Sequence, residues 1–252
     1  MVTPISVTMD ALVELIEKSR KIVALTGAGL STAAGIPDFR GPQGLYVTRR
    51  YDPEKTFEIG WFRREPEYFY NFAADFADLL SRISPTYAHA FLARLEMSGK
   101  LSAVVTQNID MLHQIAGSRN VIELHGSIAS ATCLKCGRNY TPLNVSWWQR
   151  AIKESPFAPV VLCAECQGLL KPDIVFYGEM VPRFGEAQAA IADCDLLLVL
   201  GTSLTVYPAA VLPDLTDAPV IVVSQGEVSL SRAKHHHIIR ADLDEFCRNL
   251  GM

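Results

Sequence analysis

The chain has 252 residues, nearly half of them apolar and a fifth charged, with a formal net charge of −4. That length and composition can bury a core as one large domain, or as one domain with a smaller module. So small a net charge argues against general attraction to nucleic acid or to an anionic membrane, and no apolar run approaches the roughly 20 residues that span a bilayer. Met1 to Asp10 shows no basic start followed by an apolar block, so no secretory signal is expected and a cytoplasmic protein is.

Leu12, Leu15 and Ile16 recur at helical spacing, which predicts an amphipathic helix over residues 9–20. Lys21-Ile22-Val23-Ala24-Leu25 reads as a buried parallel strand. It runs into Thr26-Gly27-Ala28-Gly29-Leu30-Ser31-Thr32, where Ser31 or Thr32 is a candidate helix cap. Glycines followed by a helix N-terminus make a place to hold phosphate. The third glycine of the usual dinucleotide fingerprint is missing, and a plain tight turn fits the stretch as well. Asp38, Phe39 and Arg40 follow, and Arg40 adds a cation for the same anion. Residues 41–46 are turn-rich and suit a loop that closes over a ligand.

Residues 51–82 are crowded with aromatics, including Phe57, Trp61, Phe62, Tyr68, Phe69, Tyr70, Phe72 and Phe76. Two or three short helices are expected there, with Pro53 and Pro66 at helix starts and the rings packed in a core. A helix over 86–98 carries His89 as a packed or surface residue. Leu101 to Thr106 is the next strand, ending at Gln107-Asn108-Ile109-Asp110 before a helix to Gly117. Ligand groups gather at the carboxyl ends of such strands. Two amides and a carboxylate can position a ribose or a carboxamide; equally, Asn108 and Asp110 can simply cap the helix. Val121 to Leu124 is a further strand, ending at His125-Gly126, where a histidine is placed for proton transfer near neutral pH. His113 reads as structural.

Cys133-x-x-Cys136 and Cys163-x-x-Cys166 form two knuckles that can close a tetrahedral thiolate cage around zinc. A redox dithiol would need only one pair. With thiolates at all four positions no ligand position is open, so the metal is structural. Cys194 and Cys247 lie in apolar segments and read as buried thiols.

Pro172 to Glu179 is expected to resume the sheet. A helix over 184–194 leads to the most apolar strand, Asp195 to Leu200, which ends at Gly201-Thr202-Ser203. Another helix starts at Pro208. Pro219 to Val223 is a strand ending at Ser224-Gln225. His235 to His237 lead into a last short strand at Ile238-Ile239, and Asp242 caps a closing helix. The alternation predicts an α/β fold, a doubly wound parallel sheet. The aromatic helices and the cysteine knuckles interrupt it and would pack together as a small second domain, leaving a cleft between.

Gly27-Ala28-Gly29, Gly35-Ile36-Pro37-Asp38-Phe39-Arg40, Gln107-Asn108-Ile109-Asp110, His125-Gly126, the four cysteines and Gly201-Thr202-Ser203 stand in an order that resembles the sirtuins. The resemblance runs from about Ile22 to Asp242 and is to a prokaryotic-type minimal catalytic core of these NAD-dependent protein-lysine deacylases. It implies a Rossmann-like NAD-binding domain from 1–45, 84–128 and 170–252. The small domain would comprise a helical module at 46–83 and a zinc-ribbon module at 129–169.

It also implies roles. NAD is consumed as co-substrate. Its diphosphate would lie on Ala28, Gly29 and Arg40, and Gly27, Thr32, Asp38 and Gln107 would also bind the cofactor. The nicotinamide would enter near Ile109 and Asp110, with Asp110 bonding the carboxamide. The acyl oxygen of a lysine would attack the ribose carbon, giving an O-alkyl imidate. His125 would act as general base through the ribose hydroxyls, Asn108 would orient ribose and water, and Phe39 would shield the intermediate. Thr202, Ser203, Ser224, Gln225 and Asp242 would hold the adenosine half. The substrate peptide would add as a strand along Val175, Phe176, Tyr177, Gly178 and Glu179, with Val175, Tyr177 and Val206 lining the acyl-lysine tunnel. One structural zinc on Cys133, Cys136, Cys163 and Cys166, an acetylated lysine as partner, no membrane or nucleic-acid partner and a monomeric state complete the expectation.

Ser224 stands where the family commonly has Asn, and Tyr177 where it usually has Phe. The Tyr-x-x-Arg pair that binds an acyl carboxylate in desuccinylating members is absent from residues 60–82, where Ala73 and Phe76 fall near its places. Removal of neutral acyl groups, acetyl first, is therefore expected. A mono-ADP-ribosyltransferase would use the same NAD residues and is the alternative; a non-enzymatic zinc-ribbon binding module would leave Gln107 to Asp110 and His125 without a role.

Overall fold

The computed structural model describes residues 8–38, 44, 50–230 and 236–251. Every residue of β1 (Ile22–Thr26) is buried. Its side chains alternate between two cores, Ile22 and Ala24 into one and Val23 and Leu25 into the other, as the two-residue period of a strand requires. β2 (Leu101–Thr106) and β7 (Leu196–Leu200) flank it in parallel. β3 (Val121–Glu123), β8 (Val220–Val223) and β9 (His236–Ile239) complete a six-stranded sheet in the order β3-β2-β1-β7-β8-β9, with all pairs parallel. The strand order reverses between β1 and β7, which is the switch point where α/β sheets bind ligands.

On one face, α1 (Met9–Lys18), α5 (Tyr87–Met97) and α9 (Leu243–Asn249) bury Leu12, Ile16, Phe91, Leu92 and Phe246 against the sheet. On the other lie α8 (Phe184–Ala192) and the 3-10 segment Ala209–Leu215. Asp242 caps α9 as the sequence predicts, its Oδ1 accepting from the Glu245 amide at 3.0 Å.

A second core lies around the aromatic helices α2 (Pro53–Phe57), α3 (Ile59–Arg64) and α4 (Glu67–Leu80). Pro53 opens α2 at N1, and the Asp52 carboxylate accepts from the Glu54 and Lys55 amides. Phe62, Phe69 and Tyr70 are buried, which places them in packing as expected. This core also covers a three-stranded antiparallel sheet, β5-β4-β6, built from β4 (Gly126–Cys133), β5 (Asn139–Tyr140) and β6 (Leu170–Ile174), and the helix α7 (Val145–Glu154).

The stretch from Pro172 therefore does not resume the parallel sheet. β6 pairs with β4 and is an edge strand. Pro172 carries no amide hydrogen, so a sheet edge accepts it and a central parallel strand does not. The β4–β6 pairing also brings the Cys133 knuckle to the Cys163 knuckle, as their spacing predicts.

His89 sits fully buried on α5. Its Nδ1 accepts from the Thr86 amide at 3.2 Å, which leaves the ring proton on Nε2. That nitrogen has no partner among the described residues. Burial pushes the imidazole down to about 4, with Asp244 opposing weakly. The folded chain thus keeps His89 neutral where the unfolded chain protonates it. Stability is expected to fall as pH drops from about 6.5 to about 4, by on the order of 3 kcal/mol once fully developed. Urea unfolding at pH 7 and pH 5 checks this. His89→Gln should lose less stability between those values than the wild type, and equal losses would contradict it.

Candidate active site

The ends of β1 and β7 touch at the switch point. Gly27 donates its amide to Leu200 O at 3.1 Å, and Gly29 donates to Gly201 O at 2.8 Å. A Cβ on Gly29 would lie 2.9 Å from Gly201 Cα, and one on Gly27 would lie 2.7 Å from Thr202 Cβ. These glycines are required for backbone to meet backbone, a reason distinct from both the phosphate site and the tight turn that the sequence suggests. No α-helix follows directly. The chain makes two short 3-10 turns, Ala28–Leu30 and Thr32–Ala34, so the expected helix N-terminus for an anion is not there. Neither Ser31 nor Thr32 caps a helix in the expected way. Thr32 bonds back to Gly29 O at 3.0 Å.

Ser31 is instead fully buried and donates its hydroxyl to Asp110 Oδ2 at 2.6 Å. Asn108 Nδ2 donates to Gly27 O at 3.1 Å and to Ser31 Oγ at 3.2 Å. Both Asn108 donors are committed, so its side chain offers a ligand the Oδ1 acceptor. Asp110 Oδ1 accepts from the Leu112 amide at 2.9 Å, at the start of α6 (Leu112–Ile115). Asp110 is thus a local backbone anchor as well as a candidate ligand. Burial raises its carboxyl pKa, and the Ser31 and Leu112 hydrogen bonds oppose the rise. The sequence marks Ser31 only as a candidate cap. Its contact with Asp110 spans 79 positions and has no local signal.

Gln107 Nε2 donates to Thr202 Oγ1 at 3.0 Å, linking the ends of β2 and β7. The Gln107 carbonyl faces His125 Nδ1 at 2.9 Å. A carbonyl only accepts, so Nδ1 carries the proton and Nε2 keeps the lone pair. The imidazole is thereby tethered to the residue next to Asn108. Burial lowers its pKa, partly offset by that carbonyl, so the ring is neutral and basic at pH 7.

The segment after β6 meets the same histidine, with the Val175 amide donating to His125 O at 2.8 Å. Tyr177 donates its amide to Phe57 O at 2.8 Å and accepts from the Ile59 amide at 3.1 Å. Its side chain is half exposed, Phe176 is buried, and Gly178 adopts φ +92. Across the switch point, Ser203 Oγ lies 2.9 Å from Thr205 Oγ1, Val206 is half-buried and Ser224 is buried. Gln225 Nε2 reaches Asp242 Oδ2 at 3.5 Å. Ile109 packs against the second core. Phe39 and Arg40 lie outside the described residues, and Asp38 is half-buried beside them.

The four knuckle thiols cluster with all Sγ atoms within 4.8 Å of one another. Cys133 and Cys166 sulfurs are 3.5 Å apart, and those of Cys136 and Cys163 are 3.8 Å apart. Tetrahedral thiolates about 2.3 Å from one zinc stand about 3.8 Å apart, so the donor set fits that ion. The Lys135 amide donates to Cys133 Sγ at 3.4 Å, and Tyr140 Oη lies 3.1 Å from Cys163 Sγ. A Cβ at Gly168 would lie 3.0 Å from Cys133 Sγ, so glycine leaves room for the sulfurs.

The model of the Sir2 family matches residues 27–208. The chain is 43% identical over 224 residues to the NAD-dependent protein deacetylase of Thermotoga maritima, covering 87% of each. It is 45% identical over 207 residues to NAD-dependent protein deacetylase 1 of Pyrobaculum aerophilum, covering 81% of this chain and 78% of that one. A solved Sir2 structure with deacetylated p53 peptide and 3'-O-acetyl ADP ribose superposes with a TM-score of 0.86 at 40% identity, over 97% of both chains. Another, with p53 peptide and NAD+, gives 0.84 at 39% identity, again over 97% of both. A family match through both sheets, and structural likeness over nearly the whole length, mean that this chain belongs to the Sir2 family.

Proposed function

We propose that this protein removes acetyl groups from protein lysines, consuming NAD and releasing nicotinamide and O-acetyl-ADP-ribose. The observation that carries this reading is the hydrogen bond from His125 Nδ1 to the Gln107 carbonyl, which tethers a neutral base to the residue preceding Asn108. When bound, NAD supplies an activated ribose carbon whose bond to nicotinamide is the one broken. His125 takes a proton from a ribose hydroxyl at Nε2, and Asn108 Oδ1 orients that hydroxyl or a water. Asp110 receives the carboxamide, stiffened by Ser31. We assign Gly27, Ala28, Gly29, Thr32, Asp38, Gln107 and Ile109 to the nicotinamide and diphosphate side, and the resemblance alone adds Phe39 and Arg40, which lie outside the described residues. Thr202, Ser203, Ser224, Gln225 and Asp242 take the adenosine side.

The peptide docks along Val175 to Glu179 and Val206. One zinc on the four cysteines holds the small domain, made from the helical and knuckle insertions, and takes no part in the chemistry. Among the described residues no helix is long and apolar enough to cross a membrane, and we place the protein in the cytoplasm as a monomer.

Chromatography of an acetyl-lysine peptide incubated with and without NAD tests the reading. Deacetylated peptide that forms only with NAD, in step with nicotinamide, is the expected result. Nicotinamide release without deacetylated peptide would point to ADP-ribosyl transfer instead.

The acyl range follows from Ala73 and Phe76, which stand near the places of the carboxylate-binding pair and line an apolar cavity beside Ile109. Phe69, Phe72, Ala77, Ile128, Val145, Trp148 and Pro172 also line it, and none of them is charged. A carboxylate there would find no cation. Acetyl peptide should turn over at least about tenfold faster than succinyl peptide, because an unpaired charge is costly to desolvate. Faster succinyl removal in a side-by-side assay would refute the assignment.

A further inference from the structure

Lys171 lies on β6 with only 8% of its surface exposed. An ammonium has three donors and no acceptor, and here all three are used. Its Nζ donates to Ile174 O at 2.8 Å, to Pro172 O at 3.3 Å and to Glu179 Oε2 at 3.0 Å. The Phe176 ring centroid is 4.7 Å from the same nitrogen. Glu179 Oε2 also accepts from the Phe176 amide at 2.9 Å, and the Glu179 amide donates to Phe176 O at 3.0 Å. One oxygen therefore closes the turn 176–179 on itself and ties it to a buried cation.

Burying a charge pair seldom adds stability over a well-packed apolar pair of the same volume. What the pair does here is fix a shape. Val175 and Tyr177 point their backbone groups toward His125, Phe57 and Ile59, and successive residues of an extended segment alternate sides. On the opposite side, Glu179 takes both the N–H and the C=O of Phe176, so a docking peptide meets the closed turn itself. The ion pair therefore sets the shape of the surface that the peptide would meet.

We infer that Lys171 is a positioning residue for the substrate peptide: through Glu179 it holds the 176–179 turn in the conformation that receives the acyl-lysine strand. This rests on the deacetylase reading above. The polar and ring contacts of the Lys171 side chain are all with residues 172–179, so its loss should act on peptide recognition and leave NAD recognition in place.

Steady-state kinetics with an acetyl-lysine peptide and NAD test it in the full-length, zinc-loaded protein. Lys171→Met should raise the peptide KM by about tenfold or more, a size in keeping with small misplacements of a docking edge. The NAD KM at saturating peptide should stay within about twofold, and Lys171→Arg should recover most of the peptide KM because its guanidinium can still pair with Glu179. If Lys171→Met does not fold, Glu179→Gln carries the same comparison, since its amide oxygen still accepts from Phe176 but the charge is gone. Unchanged peptide KM in the folded variants would overturn the inference. So would peptide and NAD KM values rising together, or melting temperature falling with both constants unchanged, since either marks a purely structural role. A wild type that neither binds nor deacetylates the peptide would overturn the deacetylase reading itself, and this inference with it.

Discussion

His125→Ala is expected to lower kcat for deacetylation by about 10²–10⁴-fold, the usual contribution of a positioned general base. The argument is geometric. Gln107 O fixes Nδ1 as the protonated nitrogen at 2.9 Å, so the lone pair on Nε2 stands ready at neutral pH. Burial, which lowers the imidazole pKa, keeps that lone pair available somewhat below the pH where a solvent-exposed histidine would lose it. The acid limb of the wild-type kcat profile should therefore fall below about 6.5, the unperturbed histidine value. Zinc content should match the wild type, because the nearest knuckle thiol, Cys133, lies at the far end of β4 from His125. Loss of zinc from the variant would mean that the substitution disturbed the fold, and unchanged turnover would remove the imidazole from the mechanism.

Zinc removal is the second large effect. The four sulfurs converge from two knuckles that join the ends of β4 and the lead-in to β6. Binding a structural zinc contributes on the order of 10 kcal/mol to a small site. Four thiolates packed within 4.8 Å without an ion repel one another. A strong chelator should release one zinc per chain, measured colorimetrically, and should collapse deacetylation as β4 and β6 separate. Activity should return on adding zinc before aggregation sets in. Full activity in a protein shown to be free of metal would contradict the structural role.

Much of this arrangement can be read from the residues. The run Ile22–Leu25 is apolar at every position and proves to be a central strand buried on both faces. The spacing of Cys133, Cys136, Cys163 and Cys166 foretells their cluster. Asp242 caps its helix, and Phe57, Phe62, Phe69, Tyr70, Phe72 and Phe76 pack in a core, while Trp61 and Tyr68 flank Lys55 instead. The missed features depend on contacts between distant segments. Pro172 lacks the amide that a central strand needs, and that local fact pointed to an edge strand; the apolar pattern around it masked the signal. Gly27 and Gly29 are explained by Gly201, and Ser31 by Asp110, partners that no window of sequence contains. Gln107, Asn108, Asp110 and His125 are legible as polar residues at strand ends, but the 2.9 Å tether from His125 to the Gln107 carbonyl exists only once β2 and β3 are paired.

Mass spectrometry of the products formed from NAD and an acetyl-lysine peptide tests the central claim most directly. One O-acetyl-ADP-ribose should appear for each lysine freed, and with His125→Ala both should fall together by the same roughly 10²–10⁴-fold. Free acetate with intact NAD, or ADP-ribose attached to the peptide, would contradict it.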